Sequence, residues 1–96
     1  MAAYAIGRLQ MRDPSWVKAY GPATERLVHK HGGRYLVRGT AMERLEGSGP
    51  LPSAMVVIEF PSAAQARAWY GDPEYAPLIR LRQGRSDLDF VLVEGL

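Results

Sequence analysis

The chain has no cysteine in its 96 residues. This excludes disulfide frameworks, thiolate nucleophiles and cysteine metal sites, and it fits a reducing compartment, so a cytoplasmic location is expected. No apolar run approaches the ~20 residues that span a bilayer, so no membrane partner is expected. The N-terminal stretch MAAYAIGRLQMRD has no charged leader before its apolar part and no cleavage signature, and it reads as mature structure. Net charge is small, with 12 basic against 10 acidic residues giving +2. The bases are mostly arginine and are scattered, with no basic run interleaved with aromatics, so nucleic acid is not an expected partner. A phosphate-binding glycine loop is missing, because GRLQMRD lacks the fingerprint glycines. The two histidines, His29 and His31, lie two residues apart and face different sides of a helix. A zinc pair needs i, i+4 spacing on one face, so no metal is expected. Ser15, Ser62 and Ser86 sit at caps or turns, which leaves a serine nucleophile without support. No cofactor is expected either.

What the sequence does contain is a clear order of elements for one domain. Tyr4 to Arg12 alternates with period two. Ala5, Gly7, Leu9 and Met11 share one face, and Tyr4, Ile6, Arg8, Gln10 and Arg12 share the other, as in a strand. Asp13-Pro14 is a cap followed by a proline suited to the first helical turn. Trp16, Val17, Tyr20, Ala23, Leu27, Val28 and His31 then recur at helical spacing. Gly21-Pro22 interrupts this pattern and predicts a kink or two helical pieces. Gly32-Gly33 ends the helix. Arg34 to Gly39 reads as a second strand, with an extension past Thr40 through Met42 to Glu46 open. Ala54 to Phe60 is a third strand, apolar on both faces and therefore central. Ser62 to Gln65 is a capping-box pattern ahead of a helix whose stripe is Ala66, Trp69 and Tyr70. Asp72-Pro73 starts a further short helix from Glu74 to about Leu81, and Leu88 to Glu94 is the last strand.

The order is βαββαβ. Right-handed crossovers turn it into an antiparallel four-stranded sheet with its helices on one face, the ferredoxin-like α+β arrangement. The other face keeps apolar residues on the first, third and fourth strands, whereas a solvated antiparallel face reads polar. Apolar patches of that size mark a partner, and the simplest is a second copy stacked sheet to sheet around a twofold axis.

The segments YAIGRLQMRDPSWVKAYGPA, GGRYLVRG, VVIEFPSAAQARAWYGDPEYAPLIRLRQ and DFVLVEG resemble the DUF1330 family of the dimeric α+β-barrel superfamily. The resemblance covers nearly the whole chain and is most specific over the EFPS to PEY stretch. It implies a single domain over residues 1–96 and a homodimer whose two sheets close a barrel-like core. It implies no particular reaction, and related branches include cofactor-independent monooxygenases, a lactone isomerase and haem enzymes.

Two functional classes fit such a chain. One is a homodimeric binding or structural module without chemistry of its own. The other is a cofactor-independent enzyme, monooxygenase- or isomerase-like, on a small oxygenated or acidic substrate. In the second, Glu59 is the candidate general base and Arg38 the orienting cation. A hairpin turn centred near Ser48 or Gly49 places Arg38 opposite Glu59. Tyr70 and Tyr75 are candidate hydrogen-bond donors to a ligand, while Trp69 reads as packing. Arg80, with Arg82 and Arg85, either holds an anionic ligand or the partner chain or forms a solvated rim near a helix end. For Arg38 and Glu59 the plain reading is a cross-strand ion pair, and for His31 it is a cap or core role near the helix C-terminus.

Overall fold

The computed structural model describes residues 1–96. Its four strands and three helices come in the order β1 (Ala3–Met11), α1 (Val17–Lys30), β2 (Arg34–Gly39), β3 (Ala54–Phe60), α2 (Ala63–Tyr70), α3 (Ala76–Arg82) and β4 (Ser86–Glu94). The strands form one antiparallel sheet in the order β2-β3-β1-β4. The principal extents are 34 × 33 × 17 Å, so the thin dimension holds one sheet and one layer of helices and nothing more.

Local chemistry sets the element ends. The Asp13 carboxylate accepts the Ser15 N–H at 3.0 Å and opens a 3₁₀ turn over Pro14–Trp16, from which α1 continues. Helix α1 does not divide at Gly21-Pro22. It runs as one element with Pro22 inside, and the expected break falls earlier, where the 3₁₀ turn passes into the helix. Gly32 closes the helix at φ 80°, a left-handed conformation that suits glycine. Gly33 then lets the chain pass close to a core ring, since a Cβ there would lie 2.6 Å from Phe60. Ser62 caps α2 by accepting the Gln65 N–H at 3.2 Å. Asp72 accepts the Glu74 N–H at 2.9 Å and shapes the turn into α3. The second strand stops at Gly39, and residues 40–53 form no strand, so the extension towards Glu46 does not occur.

The two faces of the sheet differ in what covers them. Ala3, Ala5, Gly7 and Leu9 of β1, with Ile58 and Phe60 of β3, point under the helices and are buried. Ala5, Ile58 and Phe60 pack with Leu27 and Val28 of α1, Ala66 and Trp69 of α2, and Tyr75. Each fully buried large side chain here contributes roughly 1.5–3 kcal/mol relative to exposure.

The opposite face has no layer over it. Pairing aligns Val37, Val57, Ile6 and Val91 in a single row that crosses all four strands. One flanking row holds Arg34, Glu59, Tyr4 and Val93; the other holds Gly39, Met55, Arg8 and Asp89. Val91 is 61% exposed, and Val37 and Val93 are each 45% exposed.

Candidate functional site

Glu59 lies on the uncovered face, near its edge. Its carboxylate accepts from Arg34 Nε at 2.8 Å and from the Tyr4 hydroxyl at 3.1 Å. Arg38 is not its partner. The β2–β3 pairing sets Arg34 opposite Glu59 and Arg38 opposite Val56, with a register shift between Tyr35 and Val37. The connection is centred earlier than Ser48, and the bulge sends Arg38 to the helix-covered face. There its guanidinium lies 4.5 Å from the Tyr35 ring centroid and 3.8 Å from Glu25 of α1. Burial pushes the Tyr35 phenol up to about 12. Arg34 opens β2 and Glu59 is the penultimate residue of β3, so aligning the strand ends, rather than counting outward from the turn, brings Glu59 within one residue of Arg34.

The Arg34 hydrogen bond, followed by that from Tyr4, lowers the pKa of Glu59. A general base working near neutral pH needs the opposite shift.

Tyr75 is fully buried and lies among rings. Its centroid is 4.8 Å from that of Trp69 and 6.1 Å from that of Tyr20, and its hydroxyl is hydrogen-bonded to the Tyr20 hydroxyl. Burial raises its pKa, so it stays a neutral phenol. Arg80 is exposed in the last turn of α3 and borders neither of the two main clefts. Two residues on, Arg82 is 6% exposed and donates through Nε to the Tyr20 hydroxyl at 3.3 Å. Burial opposes its charge, but the Tyr20 and Tyr75 oxygens outweigh that and raise its pKa. His31 bonds Asp72 through Nε2 at 2.8 Å, and Lys30 Nζ reaches the same carboxylate at 3.0 Å. Those contacts tie the end of α1 to the turn before α3. The His31 bond comes first among the causes that hold Asp72 well below its ordinary pKa.

The main concavity lies elsewhere, between α2 and the edge strand β4. It measures about 760 Å³, and 8 of its 11 lining residues are hydrophobic. Small residues create it. Ala5 of β1 and Ala66 of α2 line it without filling it, and Gly7 lets the Phe90 ring lie across β1, where a Cβ would come within 2.9 Å of that ring. Trp69 and Tyr70 meet Phe90 edge to face at 5.9 and 6.4 Å between centroids, within the range such pairs favour. Of the sequence-predicted site residues only Tyr70 borders this cleft. Glu59, Arg38, Tyr75 and Arg80 do not, and the five are not brought together. The signal for the cleft was present in the run of small residues, Ala3, Ala5 and Gly7, on the buried face of β1.

Comparison with solved structures shows the fold. A protein of unknown function from Rhodopseudomonas palustris superposes with a TM-score of 0.82 at 19% identity, over 99% of this chain and 82% of that one. A dimeric protein of unknown function with a ferredoxin-like fold from Bacteroides fragilis gives a TM-score of 0.67 at 16% identity, over 98% and 96% of the two chains. SnoaB, a cofactor-independent oxygenase from Streptomyces nogalater, gives 0.70 at 12% identity, over 99% and 93%. No curated protein matches the chain. No helix is long and apolar enough to cross a membrane. The family model described as a domain of unknown function, DUF1330, matches residues 2–96, and the chain therefore belongs to the DUF1330 family.

Proposed function

We propose that the protein is a homodimeric binding module in which two copies stack their uncovered sheet faces about a twofold axis. The observation that carries this reading is the row Val37–Val57–Ile6–Val91, apolar from edge to edge and without a covering layer. A face solvated in the working protein alternates to polar side chains. The charged rows on either side suit the rim of an interface around an apolar centre. A twofold axis makes such a face its own complement. The dimeric Bacteroides fragilis protein of the same fold supports the assembly. A cysteine-free chain of this kind suits the cytoplasm.

The geometry favours recognition over bond-making. Glu59 is held as a carboxylate by Arg34 and Tyr4, and the cleft bordered by Tyr70 holds neither Glu59 nor any histidine. Light scattering on the eluting protein tests the assembly. A mass of twice 10.6 kDa is expected, and elution as a 10.6 kDa species at micromolar concentration would overturn it.

A further inference from the structure

We propose that the cleft between α2 and β4 binds a flat aromatic molecule bearing a carboxylate, with the ring against Phe90, Trp69 and Tyr70 and the carboxylate at Arg67. This rests on the reading of the protein as a binding module and names the class of its ligand.

Three observations carry it. The first is shape. The cleft is walled by the rings of Tyr70 and Phe90, set edge to face, and by Leu88 and Leu92, over a floor of Ala5, Ala66 and the nearly buried Trp69, so a planar ring system meets the open sides of Tyr70 and Phe90 above an apolar floor. The second is charge. The charged residues bordering the cleft are Arg8, Arg67 and Asp89; Arg8 and Asp89 are cross-strand neighbours on the uncovered face, which leaves Arg67 as the cation on the α2 side. Arg67 takes part in no ion pair and, unlike the other unpaired arginines Arg26, Arg44, Arg80 and Arg82, borders this apolar wall. A planar guanidinium without a partner, beside an apolar wall, matches a carboxylate in geometry and in sign. The third is the phenol of Tyr70, which has no hydrogen-bond partner within the chain and stands 46% exposed on the cleft wall, available to the same carboxylate. Apolar walls with a few convergent polar groups are the usual make-up of small-molecule sites.

The test uses 2-naphthoate and its neutral isostere 2-naphthamide, titrated into isotopically labelled protein at neutral pH and followed by backbone amide shifts. Saturable shifts are expected along Ala66–Tyr70 and Leu88–Leu92, with the amide bound at least about tenfold more weakly, as loss of a charge-assisted hydrogen bond implies. Arg67→Ala, an exposed position, should weaken 2-naphthoate by about tenfold and leave 2-naphthamide unchanged. Ala66→Leu should fill the hollow and abolish both. As a control, Arg80→Ala should change neither. Equal binding of the two probes, indifference to Arg67→Ala, shifts that map to other elements, or no saturation would each overturn the assignment. The light-scattering mass of the same samples separates the two readings. A monomer that binds 2-naphthoate at α2 and β4 removes the dimer and keeps the ligand class; a dimer that ignores it does the reverse.

Discussion

The two faces of the sheet are built from the same four strands, yet they solve different problems. Under the helices, small residues on β1 (Ala3, Ala5 and Gly7) accompany the large rings of Phe60, Trp69 and Tyr75, which are buried within one chain, while Phe90 and Leu92 at the β4 edge stay partly open to the cleft. On the opposite face the side chains are of medium size, Ile6, Val37, Val57 and Val91, and they lie level in one row. Interlocking of large with small fills a core, whereas a level row of β-branched side chains is a surface against which a second, similar surface can lie. In the proposed dimer, stability therefore has two parts. One belongs to the single chain and does not depend on concentration. The other comes from association and does.

Charging the uncovered face should separate these two parts most severely. Val57→Asp places an unpaired carboxylate in the middle of the apolar row. It should cost the association roughly 3–5 kcal/mol, the range for an uncompensated buried charge. The expected species is a monomer with its far-ultraviolet circular dichroism kept; an intact dimer of unchanged stability would show that the face is not the interface. Trp69→Ala attacks the other face. It removes a ring packed against Phe60, Tyr75 and Phe90 and should destabilise the single chain by about 3–5 kcal/mol in urea titrations. Its effect should be the same at low and high protein concentration, unlike that of Val57→Asp.

Acid acts on the part that belongs to the single chain. Asp72 has a folded-state pKa depressed by His31, the Glu74 N–H and Lys30. Its contribution is therefore fully present above the ordinary value of 3.8 and is lost as pH falls below that towards the depressed value. Asp72→Asn should lower the melting temperature at pH 7 and flatten the acid limb of stability between about pH 4 and 2. An acid limb as steep as that of the parent would contradict the assignment. The smallest effect belongs to Arg34→Ala, at the rim of the uncovered face. It should return the Glu59 pKa upward towards its ordinary range in a carboxyl NMR titration, while Arg38→Ala leaves it unmoved. The stability change from losing this partly solvated pair should stay within about 1 kcal/mol.

Most of the architecture was legible in the sequence because period and punctuation agree. The strands Arg34–Gly39 and Ala54–Phe60 begin and end where the sequence places them, and the caps at Asp13 and Ser62 form as their neighbours predict. Register was less legible. A bulge adds one residue to a strand and turns the residues after it to the other face, and nothing in RYLVRG marks Leu36 as the place for it. Arg38 and Glu59 are separated chiefly because the β2–β3 connection is centred earlier than Ser48; the bulge then sets which face Arg38 takes. Of the two outcomes open at Pro22, division of the helix does not occur, for a different reason. A missing N–H and a ring inside a helix favour a break, but α1 carries Thr24, Leu27 and Val28 into the core immediately afterwards, and that packing holds it as one element. A pocket between sheet and helices, or within the barrel, follows from the fold, but the lining of this cleft was harder to read because it is made by what side chains lack. Arg67 was hidden too, since an exposed arginine on a helix reads as solvated surface until the wall beside it is known.

In the proposed dimer, contact between the row Val37–Val57–Ile6–Val91 and its own copy underlies both the assembly and the division of stability between the two faces. Isotope-filtered NOE spectroscopy on a mixture of methyl-labelled and unlabelled chains detects that contact atom by atom. Intermolecular NOEs are expected from the methyl groups of Ile6, Val57 and Val91, and none from Leu27 or Val28 beneath the helices. Chains that associate without any contact from the first group, or that stay single while those methyl groups remain in water, would contradict it.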